Sequence, residues 1–488
     1  MKHIIFLLIV CLHITVGLQA QQLLDANWPF GSLEYPNAGS YGNAMLTFRG
    51  DSVKVEKTSL NMNFESSVGA ISDTTGQLLF YTNGCYIATA TGDTMPNGDG
   101  LNPGTVHEWV CPENGYISPR GVMILPMPGQ EYLYVVLHMG ARYEPGKNLS
   151  LGPFYYSLVD MNQNGGNGAV ISKNNILAEG NLEPFAVTRH GNGRDWWILL
   201  PENHTNRYRR FTITPNAIQE QTPLEIGPEI TCPRMGSTTF SPDGVQFARV
   251  QNCKTVVFSF DRCSGSLSNA REWSRPEYAF GGGGVAFSPD GNTLFATEQM
   301  AVLSANLLLT NPTYDTVINT EAITGAGLHF MQYAPDGQTL LMNILHRSRF
   351  YSTLDLSQPA QPIYAQKAVS LPVYTIRTLP YFPNFRLFDW PGSVCDTLGI
   401  NTPLSVFSVH QNGLAVFPNP ATNVIHIPFE GPYESLELFD ALGRKMSSAG
   451  VVASAEQLTL PIGHLSPGLY YLRLREKGQI WIGRFVRG

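Results

Sequence analysis

The amino-acid sequence predicts an all-β protein in which one antiparallel unit repeats along most of the chain, and three observations lead to this prediction. The phrase FSPDG occurs at residues 240–244 and 287–291, and the related phrase YAPDG follows at residues 333–337. Charged residues make up only 14% of the 488 residues, whereas an average soluble protein has roughly 25%. The 47 Gly and 34 Pro residues indicate frequent turns, as expected for many short strands.

The N-terminus, MKHIIFLLIVCLHITVGLQAQQ, has the layout of a secretory signal peptide. One Lys precedes an apolar run from Ile4 to Val16, and this run is too short to span a bilayer. We therefore predict that residues 1–20 are a signal peptide and that the mature chain begins near Gln21, with cleavage after Gly17 as the alternative. An exported chain meets an oxidising environment, in which disulfides are expected.

Each SPDG-type phrase lies between two short β-rich runs, such as GSTTF and VQFARV around the first copy. Pro and Asp favour a tight turn and Gly accepts positive φ, so each phrase predicts a hairpin. Weaker relatives of this hairpin begin at Ser66, Arg120 and Glu183, which gives six hairpins in all. Two further strand-like runs follow each hairpin, so the repeat holds four strands in roughly 46 to 64 residues.

Four antiparallel strands at this period are typical of a β-propeller blade, which cannot bury both of its faces alone. We predict a propeller of seven blades over residues 21–395, with six or eight blades as the alternatives. The seventh blade is expected to combine residues 43–48 and 52–57 with the segment LPYFPNFRL at residues 379–387. A blade built from both ends of the domain would close the ring non-covalently.

Six cysteines remain after removal of the signal peptide, an even number that suits disulfide bonding. Cys253 and Cys263 bracket a predicted strand, and ten steps of ~3.3 Å hold them roughly 33 Å apart, beyond the reach of a disulfide. Loops on a common face instead predict two bonds, Cys85–Cys111 and Cys232–Cys253. Cys263 and Cys395 are left without an assigned partner.

The candidate ligand contacts follow from the geometry of a blade. Because its strands alternate in direction, the loops between second and third strands share a face with the loops that join consecutive blades; we call this the loop face. Ligand sites favour such loop-lined concavities. The predicted ligand-binding residues on the loop face are Arg142, Tyr143, Glu202, His204, Arg207, Glu298, His346 and Arg347. Trp196 and Trp197 alternate along a strand, and we interpret them as blade packing rather than a sugar platform.

Motifs for catalysis and metal binding are weak in this sequence. It has no GxSxG motif, and HEWVC breaks the HExxH zinc spacing because residue 111 is Cys. The segment that starts at Asp160 begins like a calcium loop, but Ile171 stands where a bidentate Glu is required, which favours a polar turn. The net charge of −7 argues against nucleic acid or an anionic membrane as a partner. We expect no catalytic motif, no metal ion, no cofactor and no membrane-spanning segment.

The sequence changes character after Asp396. Residues 396–412 are predicted to be a linker and residues 413–488 a small β-sandwich, because apolar residues alternate with polar ones in its strand-like runs. Four elements follow in order in this module: PNP, the turn in LFDALGR, the segment LSPGLYYLRL and a basic tail. They contain Pro418, Asn419, Pro420, Gly443, Arg444, Gly468, Tyr470 and Arg484.

These four elements resemble the C-terminal sorting domain of type IX secretion substrates, although such tails often end in Lys or Arg and this chain ends in Gly488. The resemblance implies a Gram-negative bacterium, export through the periplasm by the type IX secretion machinery, and release from the cell or attachment to its outer surface. The repeats resemble the WD-like, SPDG-containing propellers of exported bacterial proteins. That second resemblance implies the fold but no single activity, because propellers host many.

Two classes of function are compatible with these features. The first is a secreted or cell-surface module that binds a glycan or a protein. The alternative is a secreted hydrolase or lyase of polysaccharide or peptide that uses loop-face carboxylates such as Glu202 and Glu298, because paired carboxylates cleave glycosides without a local motif. Since no nucleophile motif is recognisable, we favour binding over catalysis.

Overall fold

The computed structural model describes most of the chain between Leu23 and Gly488, and the described ranges are 23–32, 41–50, 52–118, 120–143, 149–232, 236–274, 283–298, 301–319, 328–344, 347–400, 412–414, 416–429, 433, 435–440, 445–446, 450–454, 457–476 and 479–488. The predicted signal peptide and residues 401–411 of the predicted linker lie outside them. The chain divides into two compact units, Met1–Thr402 and Pro403–Gly488. Among the described residues, no helix combines the length and the apolar character needed to cross a membrane.

The described part of the first unit contains seven antiparallel sheets, which are the blades of the predicted propeller. Blade 1 consists of β1 (Asn27–Ser32), β2 (Gly42–Arg49) and β3 (Ser52–Thr58), and blade 2 of β4 (Gly69–Ser72), β5 (Leu78–Thr82) and β6 (Ile87–Thr89). Blade 3 consists of β7 (Val122–Pro126), β8 (Leu133–Arg142), β9 (Ser150–Asp160) and β10 (Ala169–Ala178). Blade 4 consists of β11 (Ala186–Arg189), β12 (Trp196–Pro201), β13 (Arg207–Ile213) and β14 (Ile218–Glu225).

Blades 5, 6 and 7 have four strands each, like blades 3 and 4, whereas blades 1 and 2 have three described strands each. Blade 5 consists of β15 (Ser237–Phe240), β16 (Gln246–Val250), β17 (Lys254–Phe260) and β18 (Leu267–Ser274). Blade 6 consists of β19 (Val285–Phe287), β20 (Thr293–Glu298), β21 (Ala301–Asn306) and β22 (Tyr314–Asn319), and blade 7 of β23 (Leu328–Tyr333), β24 (Thr339–Ile344), β25 (Arg347–Asp355) and β26 (Ile363–Ile376). One short α-helix, α1 (Thr105–Val110), and a 3₁₀ turn, Asn164–Gly166, complete the described elements of this unit.

The SPDG phrases form the turns between the first and second strands of their blades, as predicted. In the second copy the Asp290 carboxylate accepts the Ser288 hydroxyl at 2.5 Å and the backbone N–H of Asn292 at 3.1 Å. Gly291 has a φ of 71°, which a residue with a side chain adopts only with strain. The corresponding aspartates of the other two copies are Asp243 and Asp336. Local chemistry therefore explains why the phrase recurs.

The ring closes differently from the prediction. Blade 1 forms from N-terminal residues alone, and its strands β1 and β2 pack against β26 of blade 7. Residues 379–387 are irregular rather than a strand. Pro380 and Pro383 lack an N–H, and because they stand three residues apart an extended strand would lose one donor on each edge. The prediction that residues 379–387 pair with residues 43–48 and 52–57 in one blade is therefore wrong.

Residues 378–390, which we call the exit segment, instead pack among the inner strands of several blades. The Tyr381 hydroxyl donates to the carbonyl of Thr238 at 3.1 Å, and the guanidinium of Arg120 lies 4.4 Å from the centroid of the Tyr381 ring. Burial lowers the pKa of Arg120. Arg386 donates two hydrogen bonds of 2.8 Å to the carboxylate of Asp25, just before β1. The exit segment therefore lies among the inner strands, where it contacts residues in or beside blades 1, 3 and 5.

The described residues contain three disulfides. Cys85–Cys111 and Cys232–Cys253 are the two bonds expected from the strand arrangement, with Cα atoms 5.5 and 5.8 Å apart. The third, Cys263–Cys395, joins the two cysteines that the sequence left unassigned. The exit segment leads to Cys395 and brings it next to the turn between β17 and β18 that contains Cys263. The sequence analysis predicted a strand at residues 379–387, and a strand there gave no indication of this bond.

The second unit has two small sheets in its described part. One contains β27 (Asn412–Gly413), β29 (Ser435–Asp440), β30 (Lys445–Met446), β33 (Gly468–Glu476) and β34 (Gln479–Arg487). The other contains β28 (Val424–Pro428), β31 (Val452–Ala453) and β32 (Gln457–Pro461). Side chains from both sheets, such as Ile425 and Leu472, share one buried core, which agrees with the predicted small sandwich.

Candidate functional site

The strand bounds place the described members of the predicted site on the loop face. Arg142 ends β8 and Tyr143 follows it, while Glu298 ends β20 and Arg347 begins β25. The other three described members, Glu202, His204 and Arg207, lie in or beside the connection between β12 and β13. His346 lies outside the described residues. These residues belong to blades 3, 4, 6 and 7, so they share a face without forming one cluster.

The carboxylate of Glu202 is held between two arginines. Its Oε1 atom lies 3.6 Å from Nε of Arg207 and 3.9 Å from Nε of Arg209. Glu298, the other carboxylate suggested for catalysis, is buried at the end of β20 in blade 6, and blade 5 separates the two. The structure therefore does not bring Glu202 and Glu298 together as a pair.

A buried ion pair supports the connection that carries Glu202. Arg249 of β16 and Glu183, just before β11, have no exposed side-chain surface, and Arg249 donates to both carboxylate oxygens at 2.5 and 3.0 Å. The guanidinium also donates to the carbonyls of Thr205 at 2.7 Å and Glu202 at 3.2 Å. Burial lowers the pKa of Arg249, but the charge of Glu183 more than reverses this effect and the net pKa is raised. The pair joins blades 4 and 5 beneath the loop face.

A cavity of about 280 Å³ opens on the loop face where blades 1, 2 and 7 meet. It is lined mainly by polar groups: Ser32, Asn63, Phe64, Glu65, Asn114, Gly115 and Arg347. Arg347 donates to the Tyr41 hydroxyl at 3.0 Å, and its guanidinium lies 5.7 Å from the centroid of the Tyr41 ring. Of the predicted ligand-binding residues that the structure describes, Arg347 alone is among those lining this cavity.

One wall of the cavity comes from the insertion at residues 90–117, between β6 and β7. The amide of Asn63 donates to the carbonyl of Glu113 at 2.5 Å and so ties the insertion to the connection between β3 and β4. A Cβ atom at Gly115 would lie 2.8 Å from the carbonyl oxygen of Asn63 and 2.9 Å from the backbone nitrogen of Glu65. Glycine is therefore required at residue 115 for the two segments to approach this closely.

The insertion also exposes an aromatic residue that the sequence analysis did not select. Trp109 of α1 is 67% exposed, and its ring centroid lies 6.4 Å from that of Tyr143, which is 56% exposed. Val106 and Val110, four residues apart on the same helix, are buried. The spacing of these two valines in TVHEWV does not place Trp109 on the outer side, because residues three apart such as Val106 and Trp109 share a helix face, so no local pattern identified Trp109 as exposed.

Ser157, His138 and Asn102 form a hydrogen-bonded chain in the order of a nucleophile, a general base and an orienting residue, but all three are buried. His138 lies 2.9 Å through Nε2 from the Ser157 hydroxyl and 2.8 Å through Nδ1 from Oδ1 of Asn102. The Ser157 oxygen also accepts the backbone N–H of Asn174 at 3.1 Å. Burial lowers the pKa of His138 to about 3, so the ring is neutral at pH 7. We interpret this array as packing that joins the insertion to blade 3.

Other sequence features take structural roles. Trp196 and Trp197 are buried, as expected for blade packing. The Asp160 carboxylate accepts the backbone N–H of Asn162 at 2.9 Å and the side-chain amide of Gln163 at 3.0 Å, which is the pattern of a polar turn. Within the described ranges, no group of three or more His, Cys, Asp or Glu side chains is placed to hold a metal ion.

In the second unit, elements far apart in sequence meet at the C-terminal strand. The Asn419 side chain donates to the carbonyl of Arg484 at 3.2 Å and accepts the backbone N–H of Val486 at 2.9 Å. Pro418 and Pro420 flank Asn419 in this turn. Gly468 and Tyr470 lie at the start of β33, and the Tyr470 ring stacks on Phe485 with centroids 5.6 Å apart. Gly443 and Arg444 lie outside the described residues.

Comparison with known proteins identifies this second unit. Residues 415–487 match the family described as "Secretion system C-terminal sorting domain". The presence of this domain is evidence for export by the type IX secretion system, and the protein is secreted or attached to the cell surface. The disulfides suit that extracytoplasmic environment. No curated protein is similar in sequence to this chain.

Solved structures with a similar fold are distant in sequence. A candidate 6-phosphogluconolactonase from Bacteroides uniformis ATCC 8492 is 16% identical, with a TM-score of 0.43 over 70% of this chain and 97% of the other. A second candidate 6-phosphogluconolactonase, from Bacteroides fragilis NCTC 9343, is 14% identical, with a TM-score of 0.41 over 71% and 96%. Sqt1 of Chaetomium thermophilum, bound to the N-terminus of ribosomal protein L10, is 9% identical, with a TM-score of 0.35 over 68% and 86%. These similarities carry no information on the activity of this chain.

Proposed function

We propose that the propeller is a binding module that takes a polar ligand, a glycan or a protein segment, over the cavity on the loop face. The cavity of about 280 Å³ is the observation that carries this proposal. Ligand sites are concave and have a few convergent polar groups that fix orientation. This cavity has such groups on the face where a propeller presents its longer loops.

The lining residues offer complementary hydrogen-bonding groups. Arg347 contributes a planar fork of donors, Glu65 contributes acceptors, and the amides of Asn63 and Asn114 can do both. A guanidinium can bind two adjacent oxygens in a bidentate manner. Close packing of the insertion at Gly115 and the Cys85–Cys111 disulfide hold one wall in place, which lowers the entropic cost of binding.

The carboxylates support binding over hydrolysis. Glycoside hydrolysis commonly requires two carboxyl groups about 5 to 9.5 Å apart, one acid and one base or nucleophile. Glu202 lies between two arginines in blade 4, and Glu298 is buried in blade 6. Their placement in different blades favours a site that holds its ligand without cleaving it.

Replacement of Arg347 tests the proposal. Arg347→Ala should weaken binding of a ligand found on a glycan or peptide array by about 10- to 100-fold, the usual range for a charged hydrogen bond. Lys54→Ala, on the outer strand β3, is the matched control for loss of a surface cation and should bind like the wild type. Thermal unfolding of each variant monitors the fold. If Arg347→Ala binds the ligand like the wild type, the ligand does not bind in this cavity. Cleavage of an array glycan by the wild type would instead favour the hydrolase or lyase.

A further inference from the structure

We propose that Trp109 and Tyr143 together form an aromatic platform that stacks against a sugar ring of a neutral glycan. This inference rests on the proposed function and makes it more specific, because it names the chemical class of the ligand. The platform is distinct from the cavity lining, and neither ring belongs to a packed core. Its function would be to extend the binding surface from the cavity along the insertion.

Trp109 and Tyr143 are the two most exposed aromatic side chains among the described residues. Trp28 and Trp196 are almost completely buried, whereas Trp109 is 67% exposed and Tyr143 is 56% exposed. Single exposed apolar residues are common on protein surfaces and require no explanation. Here two large aromatic rings from different segments lie side by side with centroids 6.4 Å apart, so they form a paired surface.

The platform is rigid because its support is fixed at several points. Val106 and Val110 anchor the inner side of α1 in the core of the insertion, and the disulfide from Cys111 to Cys85 fixes the end of the helix. The Tyr116 hydroxyl accepts the backbone N–H of Ala141 at 2.9 Å and so ties the insertion to the end of β8, two residues before Tyr143. A surface that is already ordered loses little entropy on binding.

The insertion contributes residues to both the platform and the cavity. Four residues separate Trp109 on the platform from Asn114 in the cavity lining. A ligand of several linked units could therefore contact the cavity with one unit and the platform with another. Two contacts on one ligand strengthen binding because the second contact forms without a new loss of translational freedom.

The chemistry of the surroundings fits a neutral sugar chain. A pyranose ring has an apolar face of C–H groups and a rim of hydroxyls, so it needs a flat apolar surface beside hydrogen-bonding groups. The cavity contains one carboxylate and one guanidinium, from Glu65 and Arg347, and Arg142 beside the platform lies 4.0 Å from the carboxylate of Glu179. Charges of opposite sign lie together at these two places, and the exposed carboxylates of Glu108 and Glu113 on the insertion disfavour an acidic ligand.

Neutral hexasaccharides provide a direct test of the platform. Cellohexaose, chitohexaose and laminarihexaose would be titrated into the mature protein by calorimetry, with oligogalacturonate as the acidic comparison. For the neutral sugar that binds, Trp109→Ala and Tyr143→Ala should each raise Kd by about 10- to 100-fold, as expected when a buried aromatic contact is lost. Trp109→Phe should keep most of the affinity, and sugar binding should shift the tryptophan fluorescence of the wild type but not of Trp109→Ala.

Tyr132 provides the matched control. It is 48% exposed and lies in the turn between β7 and β8, on the face opposite the loop face, so Tyr132→Ala should bind like the wild type. Wild-type affinity in Trp109→Ala together with weak binding by Arg347→Ala would overturn the platform and leave the proposed function intact. Failure of every neutral sugar to bind would overturn the glycan assignment, while Arg347-dependent binding of a peptide would still support the proposed function.

Discussion

A chain truncated after Asn412 should fold and remain in the periplasm, while the full chain reaches the outside of the cell. The first unit ends at Thr402 and has its own buried cores, so removal of the second unit leaves the contacts within the propeller in place. The truncated chain lacks residues 415–487, which match the sorting-domain family. Cell fractionation and protease accessibility in a Gram-negative host with a functional type IX system would measure the surface fraction, which should fall to background.

A point substitution separates the role of the sorting elements from the mere presence of the domain. Asn419 joins its turn to the C-terminal strand through hydrogen bonds to the backbone of Arg484 and Val486. Asn419→Ala should therefore lower export, and Asn423→Ala in the same domain is the control that should leave export unchanged. Surface exposure of the truncated chain at the level of the full chain would contradict the sorting assignment.

Loss of the buried arginine in blade 5 should cause a large loss of propeller stability. Arg249→Ala leaves Glu183 buried without its counter-ion and removes the donor to the carbonyls of Thr205 and Glu202. Breaking a buried ion pair by removing one partner costs about 3–5 kcal/mol. Urea unfolding followed by tryptophan fluorescence would measure the difference, and the connection between β12 and β13 should become more susceptible to proteolysis.

The double substitution Glu183→Gln with Arg249→Met provides a test of the mechanism. Because it removes both charges together, it should be more stable than Arg249→Ala. Lys254→Ala, which breaks the exposed pair with Glu272, is the surface control and should cost no more than about 1 kcal/mol. A loss below about 1 kcal/mol for Arg249→Ala would show that the pair does not hold blades 4 and 5 together.

Features governed by short segments were predictable from the sequence. The SPDG turns follow from Asp as an acceptor and Gly at positive φ, and the structure forms them with hydrogen bonds to Asp290 and its counterparts. The alternation of strand direction was enough to place Arg142, Glu202 and Arg347 on a common face. The sandwich core around Ile425 followed from its alternating pattern in the same way.

Features governed by contacts between distant segments were not predictable. The cavity depends on the insertion folding back against the connection between β3 and β4, which brings Asn114 next to Asn63 and Glu65. No local pattern encodes that approach, although Gly115 permits it. The Cys263–Cys395 bond likewise depends on the irregular course of the exit segment. The two prolines of that segment are the signal that argued against a strand.

Hydrogen–deuterium exchange of the mature protein, with and without a bound ligand, tests most directly whether the loop face is the binding face. The ligand would be the sugar or peptide with the highest affinity in the array and titration experiments. We expect slower exchange at residues 59–68 and 104–117, which form the cavity wall and carry Trp109, and no change at the SPDG turns on the opposite face. Protection confined to residues 241–244, 288–291 and 334–337, with none in the insertion, would contradict the account.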